Sequence, residues 1–456
     1  MGSNRLKLFI RTDASASIAT GHLYRCMAIA EAACRLRTSA SDDISDDVSE
    51  GEVCCETDGL AEREACCETD GLAEREACCE TDILTESETC CEIDILAESE
   101  VCCETVGLAE SEACCETVGL SESEAQGLFD VEFIFGEKVS TTFNVRVMST
   151  MTLSSYKSTD MEAELPEMIE ILKACDKEQK PILLIDSYNV TERYLQELSE
   201  YAYIAYIDDL RQLDFEYDLL INYDYVNKEN ILSYEESYSK AKKKLLGLAY
   251  TPLREQFAMT KRSVSSIWER ERVVSPIKNV LIASGGSDPE HALLRISEVL
   301  MDIPNLQIHL LVGKLCNDRK EILELSDRNP KISVHENVTD MAGLLTRMDM
   351  AVSAAGTTLY ELCACSVATI SYSFADNQIP GALAFDKAGV IPYAGDLRKE
   401  SVALTSGEST APLSVIKQFI EGLDGERALA QASAMHSLID GHGSERIAKE
   451  LASIVK

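Results

Sequence analysis

The chain has 456 residues, 45 % of them hydrophobic and 6 % aromatic, an ordinary globular composition with room for two or three domains. The net charge of −37 is concentrated: residues 41–128 hold 28 acidic residues and two arginines, so the rest is only mildly acidic and has no basic excess for nucleic acid. No run of about 18 apolar residues argues for a membrane span, and the N-terminus enters a strand without a signal-peptide pattern, so a cytoplasmic location is expected.

In chain order, Leu6 to Asp13 reads as a buried strand ending on a charge. Small residues follow from Ala14 to Thr20. Gly21-His22-Leu23-Tyr24-Arg25 then opens an apolar-periodic helix, Cys26 to Leu36. After residues 38–128 comes a strand, Phe129 to Phe135. Met161 to Cys175 is helical, Pro181 to Asp186 a strand, Thr191 to Tyr201 helical, and Tyr203 to Asp209 and Asp218 to Asn222 are strands. Such alternation predicts a parallel sheet, whose ligands meet the carboxyl ends of the strands. Asp13, Asp186, Tyr188 and Asp208 fall there. Residues 259–277, with the only tryptophan, Trp268, read as a linker between domains at 1–258 and 278–456. The second domain opens with a strand, the turn Gly285-Gly286-Ser287 and a helix from about Pro289. Further strands are expected at Gln307 to Val312, Ile332 to His335, Met350 to Ser353 and Thr369 to Tyr372, and a last helix at Ser444 to Ile454.

Residues 38–128 carry a 12-residue repeat with six adjacent cysteine pairs, Cys54-Cys55 through Cys114-Cys115. At about 100° per residue, twelve residues overshoot whole helical turns by about 120°, so no apolar stripe persists along a helix. The segment reads as an acidic, poorly packed or locally helical insertion in the first αβ loop, where long insertions cost little entropy. Two sharper readings are an interaction module with an unknown partner and a soft-metal site. Zinc sites, however, space their ligands by two or more residues.

Three loops could carry chemistry. Backbone amides of Gly285, Gly286 and Ser287 could approach a phosphate. Gly356-Thr357-Thr358 starts a helix, and Glu361 one turn inside could take two hydrogen bonds from vicinal ribose hydroxyls or act as a capping-box partner. Asp376-Asn377-Gln378 faces the same edge, as ligand contact or polar turn. His22 is either an idle first-turn residue or a general base, and its helix N-terminus favours a neutral ring. No nucleophile elbow, phosphate-binding Walker loop or His-Glu-x-x-His occurs.

Several of these stretches together resemble a known family: Arg11-Thr12-Asp13-Ala14-Ser15, Thr20-Gly21-His22-Leu23-Tyr24-Arg25, Ile185-Asp186-Ser187-Tyr188, Gly247 to Arg254, Ser284 to Pro289, Thr357 to Cys363 and Asp376-Asn377-Gln378. They are similar to the UDP-2,4-diacetamido-2,4,6-trideoxy-β-L-altropyranose hydrolases of pseudaminic acid biosynthesis, which serve flagellin glycosylation. The second half is similar to the broader MurG-like group. The resemblance implies a GT-B fold, two Rossmann-like domains with parallel sheets facing across a cleft. It implies that water displaces UDP from a UDP-sugar with inversion, without metal or cofactor. His22 is then the base. Asp13, Gly21, Arg25, Tyr188 and Asn377 bind the sugar side. Gly285, Gly286, Ser287, Val338, Thr357, Thr358, Glu361 and Gln378 bind UDP, with Glu361 on the ribose and Val338 near the uracil. Ala19, Ala355 and the Ser366-Val367-Ala368-Thr369 stretch depart from glycine or Gly-Val-Pro-Thr in the family pattern. Two rivals are a glycosyltransferase that uses a UDP-sugar donor and a non-catalytic nucleotide-sugar binder acting through the repeat.

Overall fold

The computed structural model describes residues 5–13, 21–37, 128–135, 144–147, 160–175, 179–260, 277–400 and 411–455. All belong to one unit, residues 1–39 with 120–456; residues 40–119 form a second unit. The repeat, the 14–20 loop with Ala19, and Trp268 lie outside the described residues.

The first sheet contains β1 (Leu6–Thr12), β2 (Phe129–Phe135), β3 (Asn144–Val147), β4 (Ile182–Asp186), β5 (Tyr203–Ile207), β6 (Leu219–Asn222) and β7 (Lys244–Leu246), in the order β3-β2-β1-β4-β5-β6-β7. The second contains β8 (Asn279–Ala283), β9 (Gln307–Val312), β10 (Ile332–Glu336), β11 (Met350–Ala354), β12 (Ala368–Ser373) and β13 (Tyr393–Asp396), in the order β10-β9-β8-β11-β12-β13. Every neighbouring pair is parallel. Both sheets therefore follow the doubly wound order, and the second domain repeats the plan of the first. Parallel strands are covered on both faces, which is why β4, β6, β11 and β12 are buried throughout. Two apolar clusters flank each sheet. The strand order reverses between β1 and β4 and between β8 and β11, and the loops after those four strands form the ligand-binding edge.

The two ends of the inserted segment meet: the Leu128 amide donates to the Leu36 carbonyl at 2.7 Å, just before β2 pairs with β1. We expect excision of residues 38–127, with the ends rejoined by a short linker, to leave the melting temperature within about 4 °C of the parent. A larger fall in thermal unfolding would contradict an insertion that the fold does not need.

Several elements differ from expectation. The first helix runs Gly21–Arg35, so Gly21 and His22 lie within it. The expected Met161 to Cys175 helix divides into a 3₁₀ turn, Met161–Glu164, and a helix, Leu165–Lys173, with a proline in its first turn. The helix expected from Pro289 begins at Ala292, because Asp288 caps it by accepting from the Ala292 and Leu293 amides at 2.8 and 3.1 Å. The last helix, Gly443–Ile454, lies in the stretch assigned to the second domain, yet Ile447, Ala448 and Leu451 pack into the first domain's core beside β1 and the Gly21–Arg35 helix. Apolar matching overrides chain order there.

Ser366 sits just past the Thr357–Ala364 helix with φ of 55°. Its hydroxyl pairs with His436 Nδ1 at 2.8 Å. Ser366→Ala removes that bond and keeps the strain, whereas Ser366→Gly removes both. Denaturant unfolding should find the glycine variant more stable than the alanine variant by about 1 kcal/mol, the cost of a Cβ in the left-handed region.

Candidate active site

β1 and β4 are neighbours in register, with Thr12 opposite Asp186. The Gly21–Arg35 helix follows β1, so its first turn lies over the end of β4. His22, the second helical residue, is 6 % exposed. Its Nδ1 lies 2.7 Å from Asp186 Oδ1 and 3.1 Å from Arg25 Nη2. The two neighbours demand opposite protonation at Nδ1, and the state of Asp186 decides between them. Burial alone would raise that carboxyl, but Arg25 and His22 outweigh it and hold Asp186 well below the ordinary carboxylate range. An ionised carboxylate only accepts, so Nδ1 is the nitrogen that donates in this pair.

Arg25, expected to touch substrate, has its donors engaged inside the protein. Nε donates to Asp186 Oδ2 at 2.7 Å, Nη1 to Asp209 Oδ2 at 2.7 Å and to the Tyr223 hydroxyl, and Nη2 to Asp186 Oδ1. It therefore clamps the ends of β4, β5 and β6 together and fixes the carboxylate that orients His22. Asp13 is likewise buried and accepts from Arg11 at 3.0 Å. Arg11 also grips Glu164 with two bonds of 2.8 and 3.1 Å, and Tyr194 donates to Glu164 at 2.7 Å. Burial opposes the Arg11 charge, but Glu164 and Asp13 help hold its pKa well above the ordinary value. Asp13 thus belongs to a buried charge cluster at the carboxyl end of β1.

Tyr188 follows β4 and meets the His22 ring edge-on, with centroids 4.6 Å apart and planes at 77°. Its hydroxyl donates to Asp209 Oδ2 at 3.1 Å and accepts from Asn377 Nδ2 of the second domain at 3.2 Å. Burial and Asp209 push the Tyr188 pKa up, so the hydroxyl stays protonated. On the same edge, burial and Asp209 push Asp224 up to about 6.

In the second domain, Gly285 takes φ of 69°, which favours glycine. Gly313, which the sequence did not single out, lies so close that a Cβ there would collide with the Gly285 and Gly286 carbonyls. Because Asp288 occupies the first amides of the following helix, the Gly285-Gly286-Ser287 turn does not lead into a bare helix N-terminus. The Thr357–Ala364 helix differs, since no side chain caps it and Gly356 precedes it. Its Thr357 and Thr358 amides precede the first bond of the helix, from the Leu359 amide to the Gly356 carbonyl at 3.0 Å, which makes its start the better anion site. A methyl added to Gly21 would come within 3.3 Å of Thr357 Cγ2, so the start of the His22 helix faces the start of this one.

Glu361 is the fifth residue of that helix, beyond capping-box range, and it is not a cap. It pairs instead with Arg254 Nη2 at 3.2 Å. Burial raises the Glu361 carboxyl and Arg254 opposes the rise. Val338 follows a left-handed Asn337 and packs partly against the second domain's core. Gln378 accepts from the Phe374 amide at 2.9 Å, which shapes the turn presenting Asn377. These contacts bring together His22, Gly21, Tyr188, Asn377 and Thr357, with Glu361 one turn further along the Thr357 helix and paired to Arg254. Arg25 and Asp13 support the site from within. Asp209, Tyr223, Glu164, Arg254 and Gly313 are additional members whose roles emerge only from their long-range partners. Among the described residues, no three His, Cys, Asp or Glu side chains gather as metal ligands would, and no helix is long and apolar enough to cross a membrane.

No family model matches the chain. It is 27 % identical over 115 residues to the spore coat polysaccharide biosynthesis protein SpsG of Bacillus subtilis, covering 25 % of this chain and 34 % of that one. It is 24 % identical over 200 residues to the uncharacterised protein MJ1062 of Methanocaldococcus jannaschii, covering 42 % and 40 %. The chain therefore spans between a third and two fifths of the relatives it matches. A solved structure of a glycosyltransferase from Rickettsia africae aligns over 99 % of both chains, with TM-score 0.49 and 11 % identity. The strand orders carry the fold by themselves: two Rossmann-like domains, as in the GT-B plan, with the start of the His22 helix set against the start of the uncapped Thr357 helix.

Proposed function

We propose that the protein hydrolyses a UDP-sugar. The observation that carries this reading is the His22–Asp186 pair, with its free Nε2, set opposite the uncapped helix start at Thr357. In the proposed step, His22 Nε2 takes a proton from water as the water oxygen bonds to the anomeric carbon. The bond from that carbon to the diphosphate oxygen breaks, and the electron pair leaves with UDP. Inversion follows from attack opposite the leaving group. Amides around Gly286 and Thr357 stabilise the diphosphate. Tyr188 and Asn377 hold the sugar, Glu361 the ribose, and the Val338 loop the uracil. Water rather than a bulky acceptor suits a base so little exposed, with the Tyr188 ring against it. From the sequence resemblance, the expected sugar is a 2,4-diacetamido-2,4,6-trideoxy hexose.

Turnover in ¹⁸O-labelled water tests the step. Label in the free sugar and none in UDP supports attack at the anomeric carbon, whereas label in UDP would place the attack at phosphorus. A second reading, transfer to a sugar or polymer acceptor, is favoured by one observation: the matched B. subtilis relative is named for polysaccharide biosynthesis.

A further inference from the structure

Arg254 belongs to a stretch, Gly247 to Arg254, that stands out in the sequence but has no role in the step above. It immediately precedes a helical stretch over 255–260 and reaches Glu361 on a separate helix. Its guanidinium lies 5.5 Å from the ring centroids of both Tyr24 and Phe257, which anchors it between two elements. Nη2 donates to Glu361, but Nε is buried and has no hydrogen-bond partner. A buried, unpartnered donor calls for an explanation, and a missing ligand oxygen is one. A hydroxyl fits, because its hydrogen can go to the Glu361 carboxylate while its oxygen accepts from Arg254 Nε.

We propose that Arg254 is a positioning residue for the nucleotide's vicinal ribose hydroxyls, holding the Glu361 carboxylate in place and supplying the Nε donor beside it. The proposal rests on the reading that Glu361 receives the ribose. A carboxylate that accepts two hydroxyls must be ionised, and burial works against this at Glu361. Arg254 is the cation that faces it. The other titratable neighbours include Tyr24, against the Arg254 guanidinium, Cys365, whose thiol burial and Glu361 push up, and Glu31, which faces Arg254 from the Gly21–Arg35 helix.

The test compares the affinity of the full chain for UDP and for 2′,3′-dideoxyuridine diphosphate between pH 5 and 8, by calorimetry. The ratio of the two dissociation constants cancels titration of the diphosphate. The parent should prefer UDP by at least about tenfold, the worth of one hydrogen bond to a charged group. Arg254→Gln should reduce that ratio to about twofold at neutral pH, and the remaining preference should vanish at a higher pH than in the parent, because burial of Glu361 is then unopposed. Arg254→Lys, which keeps the charge without the fork, should restore the pH profile in part. If both variants weaken the two ligands equally and leave the ratio and its pH profile unchanged, Arg254 has no role in ribose recognition. If the folded parent itself shows no preference for UDP, the ribose reading of Glu361 fails, and the proposal with it.

Discussion

His22→Ala is expected to lower the rate of UDP release by about 10²- to 10⁴-fold, the usual worth of a positioned general base. Binding of UDP should survive, because no nucleotide contact proposed here passes through the imidazole. The substitution also removes a largely buried ring from beneath Tyr188 and leaves Asp186 with Arg25 and without its histidine. A stability loss of about 1–3 kcal/mol is therefore expected alongside the rate effect. Single-turnover rates and UDP titration on the same preparation separate the two. Unchanged turnover would remove His22 from the mechanism, and joint loss of turnover and UDP binding would indicate a collapsed cleft.

Asp186→Asn has the second large effect, for a different reason. The side chain keeps its size, but the amide can also donate to Nδ1, which favours the tautomer with the proton on Nε2. A rate loss of about 10⁴-fold is the known scale for the wrong tautomer at an acid-oriented histidine. The change also leaves the buried Arg25 guanidinium without its bidentate partner, and breaking such a pair costs about 3–5 kcal/mol. The pH dependence has a defined sign. The folded protein holds Asp186 well below its ordinary value. Its stabilising contribution is therefore fully present above the unfolded carboxylate pKa and is lost as the pH falls toward the folded one. The stability gap between parent and variant should be constant from pH 8 to about 5 and shrink below about 4. A gap that widens in acid would contradict the ion-pair account.

The central strands were legible because parallel strands covered on both faces are almost wholly apolar. β1, β4, β8 and β11 read directly as strands, and they flank the two points where the strand order reverses. The missed strands are short or at the margins. Asn144–Val147 carries an arginine, Lys244–Leu246 has three residues, and Tyr393–Asp396 contains a glycine at φ of 122°. All three lie at sheet edges, where little burial demands an apolar run. His22 was legible from its place at a helix start. Its partner was not, because Asp186 is 164 residues away and only the register of β1 on β4 brings the two together. Arg25 and Asp13 were expected among the residues that bind the sugar side. The structure engages both in buried ion pairs, Arg25 with Asp186 and Asp209 and Asp13 with Arg11, which is itself held by Glu164; the distant acids carry no local signature.

The central claim, that water is the acceptor, is tested most directly by incubating the full chain with candidate UDP-sugars and no other acceptor, and following UDP and free sugar together. The account predicts equal amounts of both, released from the start, with His22→Ala silent under the same conditions. No UDP until a sugar or polymer acceptor is added would contradict it and make the protein a transferase.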